Sequence, residues 1–156
     1  MERLEQAGFA CYIVGGAVRD WLAGGKPHDY DLCTAATPEQ TEQIFSDLHV
    51  IETGLKHGTV TIVMDGEPIE ITTFRTESAY SDGRRPDAVA FVTDITQDLA
   101  RRDFTVNAMA WSPWRGLCDP FGGKEDLKHN CMCCVGDAET RFQEDALRIL
   151  RALRFA

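Results

Sequence analysis

No stretch of this sequence approaches the ~20 consecutive apolar residues that a membrane-crossing helix needs, so no membrane partner is expected. The opening residues, MERLEQAGFACYIVGG, lack a basic region followed by a long apolar run, and no signal peptide is visible. Internal repeats and low-complexity segments are missing as well. The glycine turn VGGAVRD is not G-x-G-x-x-G, which disfavours a dinucleotide fold. Lysine is scarce, 4 residues against 12 arginines. The expectation is a soluble cytoplasmic protein; nothing in the sequence assigns an oligomeric state.

What is present is an ordinary packed domain. The 156 residues suffice for one domain, or for a domain and the start of another, and 44% apolar content excludes disorder. The net charge of −9 argues superficially against a nucleic-acid partner. The arginines, however, concentrate in GRRPD, ARRDF and RILRALRF, and a planar guanidinium suits phosphates and base edges better than a lysine does. An acidic shell with arginine gathered in a few motifs fits a site that binds both metals and phosphates. Of the six cysteines, Cys11 and Cys33 fall in apparent core strands, where a reduced thiol behaves as a small hydrophobe. Cys118, Cys131, Cys133 and Cys134 cluster near His129. CMCC is not the paired C-x2-C of structural zinc sites, so free thiols are expected there, with a small zinc module as the subordinate alternative.

Local signals give the elements. Residues 2–8 read as a short helix stopped at Gly8, CYIV as a buried strand ending in a glycine pair, and AVRDWLAG as a helix. DYDLCTA reads as a second strand. In TPEQTEQIFSDL, Thr37 is an N-cap, Pro38 takes the first helical position and Gln40 closes a capping box. HVIETG, TVTIVMDG and EPIEITTF follow as strands, the last two joined by a hairpin turn at Asp65-Gly66. RTESAYSDGRRPDA reads as a polar loop, VAFV as a short strand, and DITQDLARRDFTVNAMAW as helical with an interruption near Asp103. DPFGGKEDL has the composition of a hinge. From Ala138 to Ala156 one amphipathic helix is expected, with Phe142, Ala146, Ile149, Leu150 and Leu153 on its apolar stripe. The fold class is α+β, a mixed sheet with helices over about 115 residues and then the start of a helical region. The stripe has little after it to pack against, so an N-terminal fragment of a longer protein is expected.

Three features carry chemistry. A buried strand, Gly15-Gly16 and a helix start leave backbone N–H groups free, and Arg19 in the first turn could reach the same anion; a tight strand-to-helix turn is the plainer reading. In KPHDYDL, Asp29 and Asp31 alternate along an expected strand, so both project from one face while Tyr30 faces away. Such a pair can ligate a hard divalent cation, or can be a solvated strand end. Glu70 shares a strand face with Thr72 and Phe74. A charge inside an apolar strand needs a partner, which shared metal ions on Asp29 and Asp31 would supply, unless Glu70 lies on a solvated face.

These stretches, together with GTVTIV, RRPDAVAFV, DLARRDFTVNAMA, DPFGGKEDL and RFQEDALRILRALRFA, closely resemble the bacterial CCA-adding tRNA nucleotidyltransferases and the related bacterial poly(A) polymerases. The similarity runs in order through essentially the whole chain. It implies a DNA-polymerase-β-like nucleotidyltransferase head with a mixed, mostly antiparallel sheet flanked by helices over residues 1–118, and a hinge with the start of an all-helical neck over 119–156. By the same resemblance Gly15, Gly16 and Arg19 would cradle the triphosphate of CTP or ATP. Asp29 and Asp31 would hold Mg²⁺, with Glu70 the third carboxylate. RRDFTVNA matches the sugar- and phosphate-holding motif, with Arg102, Asp103 and Asn107 the residues concerned; the arginine pair alone would read as a basic helix C-terminus.

EDALRILR matches the motif that reads the incoming base. Asp145 and Arg148, three apart on one helix, would share a face that Arg151 and Arg154 continue, although from periodicity alone a simple intrahelical salt bridge is the better reading. YSDGRRPD falls where the family has a flexible loop associated with the switch to the terminal adenosine. Two departures stand out. Cys133, in NCMCCVGD, replaces a commonly found arginine, and the helical body and tail that grip tRNA are missing. The resemblance therefore implies a head that binds nucleotide and metal, adds CMP or AMP to a tRNA 3′ end without a template, and turns over slowly by itself. An A-adding, CC-adding or poly(A)-adding relative is the alternative within the class; a catalytically silent nucleotide- or RNA-binding module is the alternative outside it.

Overall fold

The computed structural model describes residues 1–27, 29–54, 57–78, 80–81, 83–84 and 86–155. Its centre is a seven-stranded sheet built around β1 (Cys11–Val14) and β2 (Asp31–Thr34). β1 pairs antiparallel with β2, placing Val14 opposite Asp31 and Cys11 opposite Thr34. β2 runs parallel to β5 (Glu67–Thr73), which continues antiparallel through β4 (Thr59–Met64) to β3 (His49–Gly54). On the other side β1 pairs with β8 (Ala110–Ser112), and β8 with β9 (Gly116–Cys118). The order is β3-β4-β5-β2-β1-β8-β9, a mixed and mostly antiparallel sheet, as expected.

Residue alternation explains the two-layered core. All four residues of β1 are buried, so it is covered on both faces. Cys11 and Ile13 join Leu4, Ala17, Val18, Leu32, Phe45 and Ile71 beneath α1 (Glu2–Gln6), α2 (Gly16–Leu22) and α3 (Pro38–Ile44). Tyr12 and Val14 point to the opposite cluster, with Cys33, Phe74, Ile95, Leu99, Ala110 and Val135. Thr37 accepts a hydrogen bond from Gln40 N while the Gln40 side chain accepts one from Thr37 N, which is the expected capping box. The β4–β5 hairpin turns at Asp65 and Gly66, both at positive φ.

Four expectations fail locally, each for a tertiary reason. Arg75–Ser78, read as loop, is strand β6 and forms a two-stranded ribbon with β7 (Ala88–Phe91). Helix α4 (Ile95–Ala100) stops where expected, but Ala110–Ser112 is strand rather than helix, because Val14 and Ile13 offer it the open edge of β1. A single-turn 3₁₀ segment, Thr105–Asn107, lies between them. The expected hinge contains α5 (Gly123–Lys128), whose entry is held by Asp119 accepting from the backbone N–H groups of Gly123 and Lys124. The long terminal helix is two, α6 (Ala138–Glu144) and α7 (Leu147–Phe155), broken at Asp145 (φ −145°, ψ 107°). Asp145 leaves helical geometry to accept from Leu147 N as the cap of α7. The stripe is open to solvent, with Leu150 62% and Leu153 72% exposed.

The candidate nucleotide cleft

Half of the chain's twelve arginines, Arg19, Arg101, Arg102, Arg148, Arg151 and Arg154, line one cleft of about 390 Å³. Gly15, Gly16, Asp31, Asp103, Asn107 and Asp145 line it too, so eleven of the thirteen sequence-derived site residues, all but Asp29 and Glu70, converge there. The convergence is a product of topology. β1 ends at Gly15, whose φ of 68° and ψ of −129° turn the chain into α2, and Gly15 N donates to Met109 O. That bond brings the segment after α4 against the glycine turn. Phe104 bridges to Cys134, and Val135 N donates to Asp103 O, so the chain leading to α6 and α7 is pinned along the same segment.

Each arginine is held. Arg19 Nη1 donates to Asn107 Oδ1 at 2.7 Å, its Nε and Nη2 donate to Asp20, and its guanidinium lies 4.7 Å over the Phe155 ring. Arg101 donates to Asp98 through Nε and Nη2 and to Glu77 through Nη1 at 2.7 Å. Arg102 Nη2 donates to Asp98 Oδ2 at 3.2 Å, while its buried Nε has no hydrogen-bond partner among the described residues. Arg148 donates to Glu144, Arg141 O and Arg101 O and is itself buried, so its fork belongs to Glu144 rather than to Asp145. The expected pairing of Asp145 and Arg148 on one helical face is therefore replaced by a cap and an α6–α7 ion pair, although both line the cleft.

Asp103 is buried; its Oδ1 accepts from Phe104 N at 2.8 Å and from Asn107 Nδ2 at 3.3 Å. Arg151 Nε lies 2.8 Å from the other oxygen, Oδ2, close enough for an ion pair but without hydrogen-bond alignment, so Oδ2 keeps unused acceptor capacity. Burial pushes the Glu77 carboxyl up, but Arg101, the Tyr80 hydroxyl and Arg75 together hold it below its ordinary value. Tyr80 is in turn pushed up to about 12 by burial and by donating to Glu77.

The carboxylates separate. Asp31 lines the arginine cleft and also a second cavity of about 890 Å³, which Asp29 and Glu70 share. Asp29 precedes β2 rather than lying in it, because β1 has already turned away at Gly15 and offers no partner beyond Val14. Glu70 flanks Asp31 by register, since Leu32 pairs with Ile71 in the parallel ladder. Its side chain is exposed, so the solvated-face alternative describes Glu70 in this structure. Among the described residues no group of three His, Cys, Asp or Glu side chains is gathered to hold a metal ion, and this includes His129 and the nearby cysteines. The oxygen donors Asp29, Asp31 and Glu70 around one cavity nevertheless fit Mg²⁺, which binds through one or two carboxylates and keeps water and substrate phosphates in its shell. His28 of KPHDYDL, Ala79 of the expected polar loop, and Asp82 and Arg85 of the expected flexible loop YSDGRRPD lie outside the described residues.

Sequence reasoning missed Asp98 and Glu77, the acids behind the arginines. Asp98 had a signal, three and four residues before Arg101 and Arg102. Glu77 had none, being hidden in a segment read as loop.

Residues 11–133 match the family described as the Poly A polymerase head domain. The CCA-adding enzyme of Lactobacillus helveticus is 52% identical over 155 residues, covering 99% of this chain and 38% of that protein. The crystal structure of the Bacillus stearothermophilus CCA-adding enzyme in complex with CTP superposes with a TM-score of 0.88 at 45% identity, over 99% of this chain and 36% of that one. A tRNA nucleotidyltransferase complexed with a primer tRNA and an incoming ATP analog superposes at 0.77 with 33% identity, over 99% and 43%. The chain thus spans well under half the length of the relatives it matches. Its sheet and flanking helices are those of a polymerase-β-like head, and the chain belongs to the poly A polymerase head-domain family.

Proposed function

We propose that this chain is the catalytic head, residues 1–118, and the start of the neck, residues 119–156, of a template-independent tRNA nucleotidyltransferase. It transfers CMP or AMP from CTP or ATP to a tRNA 3′ end, in the cytoplasm. The observation that carries this reading is the arginine cleft: six of twelve arginines meet in one small cavity of a chain whose net charge is −9. Such a cavity suits a polyanion of nucleotide size. The relatives that hold CTP, an ATP analog and tRNA support the choice of ligands.

Within that reading the residues take distinct parts. Arg19, Arg101 and Arg102 bind the triphosphate at the Gly15-Gly16 turn, where α2 presents its first N–H groups. Asp103 Oδ2 accepts a ribose hydroxyl, and Asn107, tied to both Asp103 and Arg19, keeps the sugar and phosphate groups in register. Asp145, Arg148, Arg151 and Arg154 face the base from the neck. The RNA 3′-hydroxyl oxygen attacks the α-phosphorus and its proton passes to solvent, a new P–O bond forms, the bond to the β-phosphate oxygen breaks, and pyrophosphate leaves. Asp29 and Asp31, with Glu70, would hold Mg²⁺, which would lower the pKa of the attacking hydroxyl and offset phosphate charge. Positioning and electrostatics do the rest, so no dedicated protein base is needed.

The test is transfer to a tRNA lacking its 3′ CCA, with labelled CTP alone and labelled ATP alone. CMP incorporation is expected, slowly for this length of chain. A-tailing of unrelated RNA without use of CTP would instead make the protein a poly(A) polymerase. Mg²⁺-dependent nucleotide binding that survives Asp29→Ala unchanged would overturn the metal assignment.

A further inference from the structure

Asp98 never reaches the cleft, yet it holds the two arginines that do. Its side chain is fully buried in the first turn of α4. Oδ1 accepts from Arg101 Nε at 3.0 Å and Nη2 at 2.9 Å, and from the backbone N–H of Arg75 at 3.1 Å; Oδ2 accepts from Arg102 Nη2 at 3.2 Å. A carboxylate with no access to water is tolerated only when its lone pairs are filled by charged or polar donors. Here both oxygens accept, and the bonds hold the Arg101 guanidinium at two atoms and that of Arg102 at one before any ligand arrives.

The two arginines differ in how far they depend on it. Arg101 has a second carboxylate, Glu77, at 2.7 Å. Among the described residues Arg102 pairs with no carboxylate except Asp98; its Nη2 also donates to the weak acceptor Cys33 Sγ at 3.6 Å. Arg102 also faces the glycine turn, since a Cβ placed on Gly15 would lie 3.0 Å from its Nη1. Asp98 thus holds the arginine that stands against Gly15 and that pairs with no other carboxylate among the described residues.

We infer that Asp98 is the positioning residue for the phosphate end of the cleft: it orients Arg102, and secondarily Arg101, toward the β- and γ-phosphates rather than toward the sugar or base. The inference rests on the nucleotide reading above and adds a residue that touches no ligand. Removing its charge makes the cleft more positive, which by itself would raise anion affinity; the loss of orientation acts in the opposite direction. The ratio of triphosphate to monophosphate affinity separates the two effects.

The experiment measures CTP and CMP binding to the 156-residue chain by calorimetry with Mg²⁺ in constant excess, for the parent, Asp98→Asn and Asp47→Asn. Asparagine keeps the shape and an acceptor for Arg75 N. Asp47→Asn removes the same charge from the exposed pair with Arg3. Asp98→Asn is expected to weaken CTP at least about tenfold and CMP less than about threefold, so the preference for triphosphate collapses, while Asp47→Asn leaves both affinities as in the parent. A folded Asp98→Asn protein with the parental CTP-to-CMP ratio, or with tighter CTP binding, overturns the inference. If Asp98→Asn does not fold, the unsubstituted chain still decides. In nitrogen-15 spectra of the arginine side chains, a carboxylate-held Arg102 shows slow rotation about its Cζ–Nε bond and resolved Nη signals; freely averaged signals overturn the inference. A parent that binds neither CTP nor ATP overturns the proposed function and this inference with it. A parent that binds, weakened by Arg102→Ala but not by Asp98→Asn, overturns this inference alone.

Discussion

Gly15 and Gly16 are indistinguishable in the sequence, and the structure makes opposite demands on them. Gly15 sits at φ 68° and ψ −129°, a region open to glycine and strained for any residue with a Cβ. Holding alanine there costs on the order of 1–3 kcal/mol. The new Cβ would also stand 3.0 Å from Arg102 Nη1, tighter than ordinary contact, and the arginine tip must move aside. Gly16 opens α2 at ordinary φ, and a Cβ on it meets nothing nearer than Arg19 Nη2 at 3.6 Å. Alanine there gains up to ~0.5–1 kcal/mol from reduced unfolded-state freedom. Gly15→Ala should therefore lose about 2 kcal/mol, or roughly 4–8 °C in Tm for a chain of this size. Gly16→Ala should be neutral or slightly stabilising. Urea unfolding followed by far-UV circular dichroism measures both, with an unchanged m-value confirming that only stability moved. Gly15→Ala should also weaken CTP binding beyond its effect on stability, because Arg102 is displaced. Two variants equal in stability within about 0.5 kcal/mol would refute the assignment of strain to the first glycine.

Thr37→Ala should cost about 1 kcal/mol, read as a fall in the urea midpoint, because the Gln40 N–H at the start of α3 loses its cap. Cys11 and Cys33, pushed up by burial to about 11 and about 12, should react with a thiol reagent at mildly alkaline pH only on unfolding, whereas the exposed Cys131 and Cys133 should label in the native state; counting modified cysteines by mass checks this. Glu77, held below its ordinary carboxylate value of 4.5, contributes stability that is complete above that value and drains away as pH falls below it. Urea midpoints measured down the acid limb should therefore fall more steeply for the parent than for Glu77→Gln, and parallel limbs would exclude Glu77 as a source of the acid loss.

Much of the scaffold was legible because its signals are local. The Thr37 capping box, the Asp65-Gly66 turn and the alternating burial of CYIV each depend on two to four neighbouring residues whose chemistry allows one arrangement. The misreadings lie where a distant partner decides. Ala110–Ser112 has helix-compatible residues but becomes strand because Ile13 pairs with Trp111 and Val14 with Ala110. Arg75–Ser78 is polar and loop-like until β7 supplies its ladder. Asp145 could continue a helix by propensity, and instead caps the next one.

The same division holds for the site. The sequence by itself determined which residue types are available: a glycine turn after a buried strand, acids beside it, arginines in three motifs, and an order of motifs that resembles one enzyme family. Only the tertiary structure decided which of them meet. It put Arg102, from the end of α4, against Gly15 at the end of β1, and laid Arg151 of α7 beside Asp103. It left Glu70 exposed and placed Asp98 where no motif pointed. Periodicity reports neighbours within about one helical turn or one pleat; contacts across many tens of residues are set by sheet pairing, which no local pattern encodes.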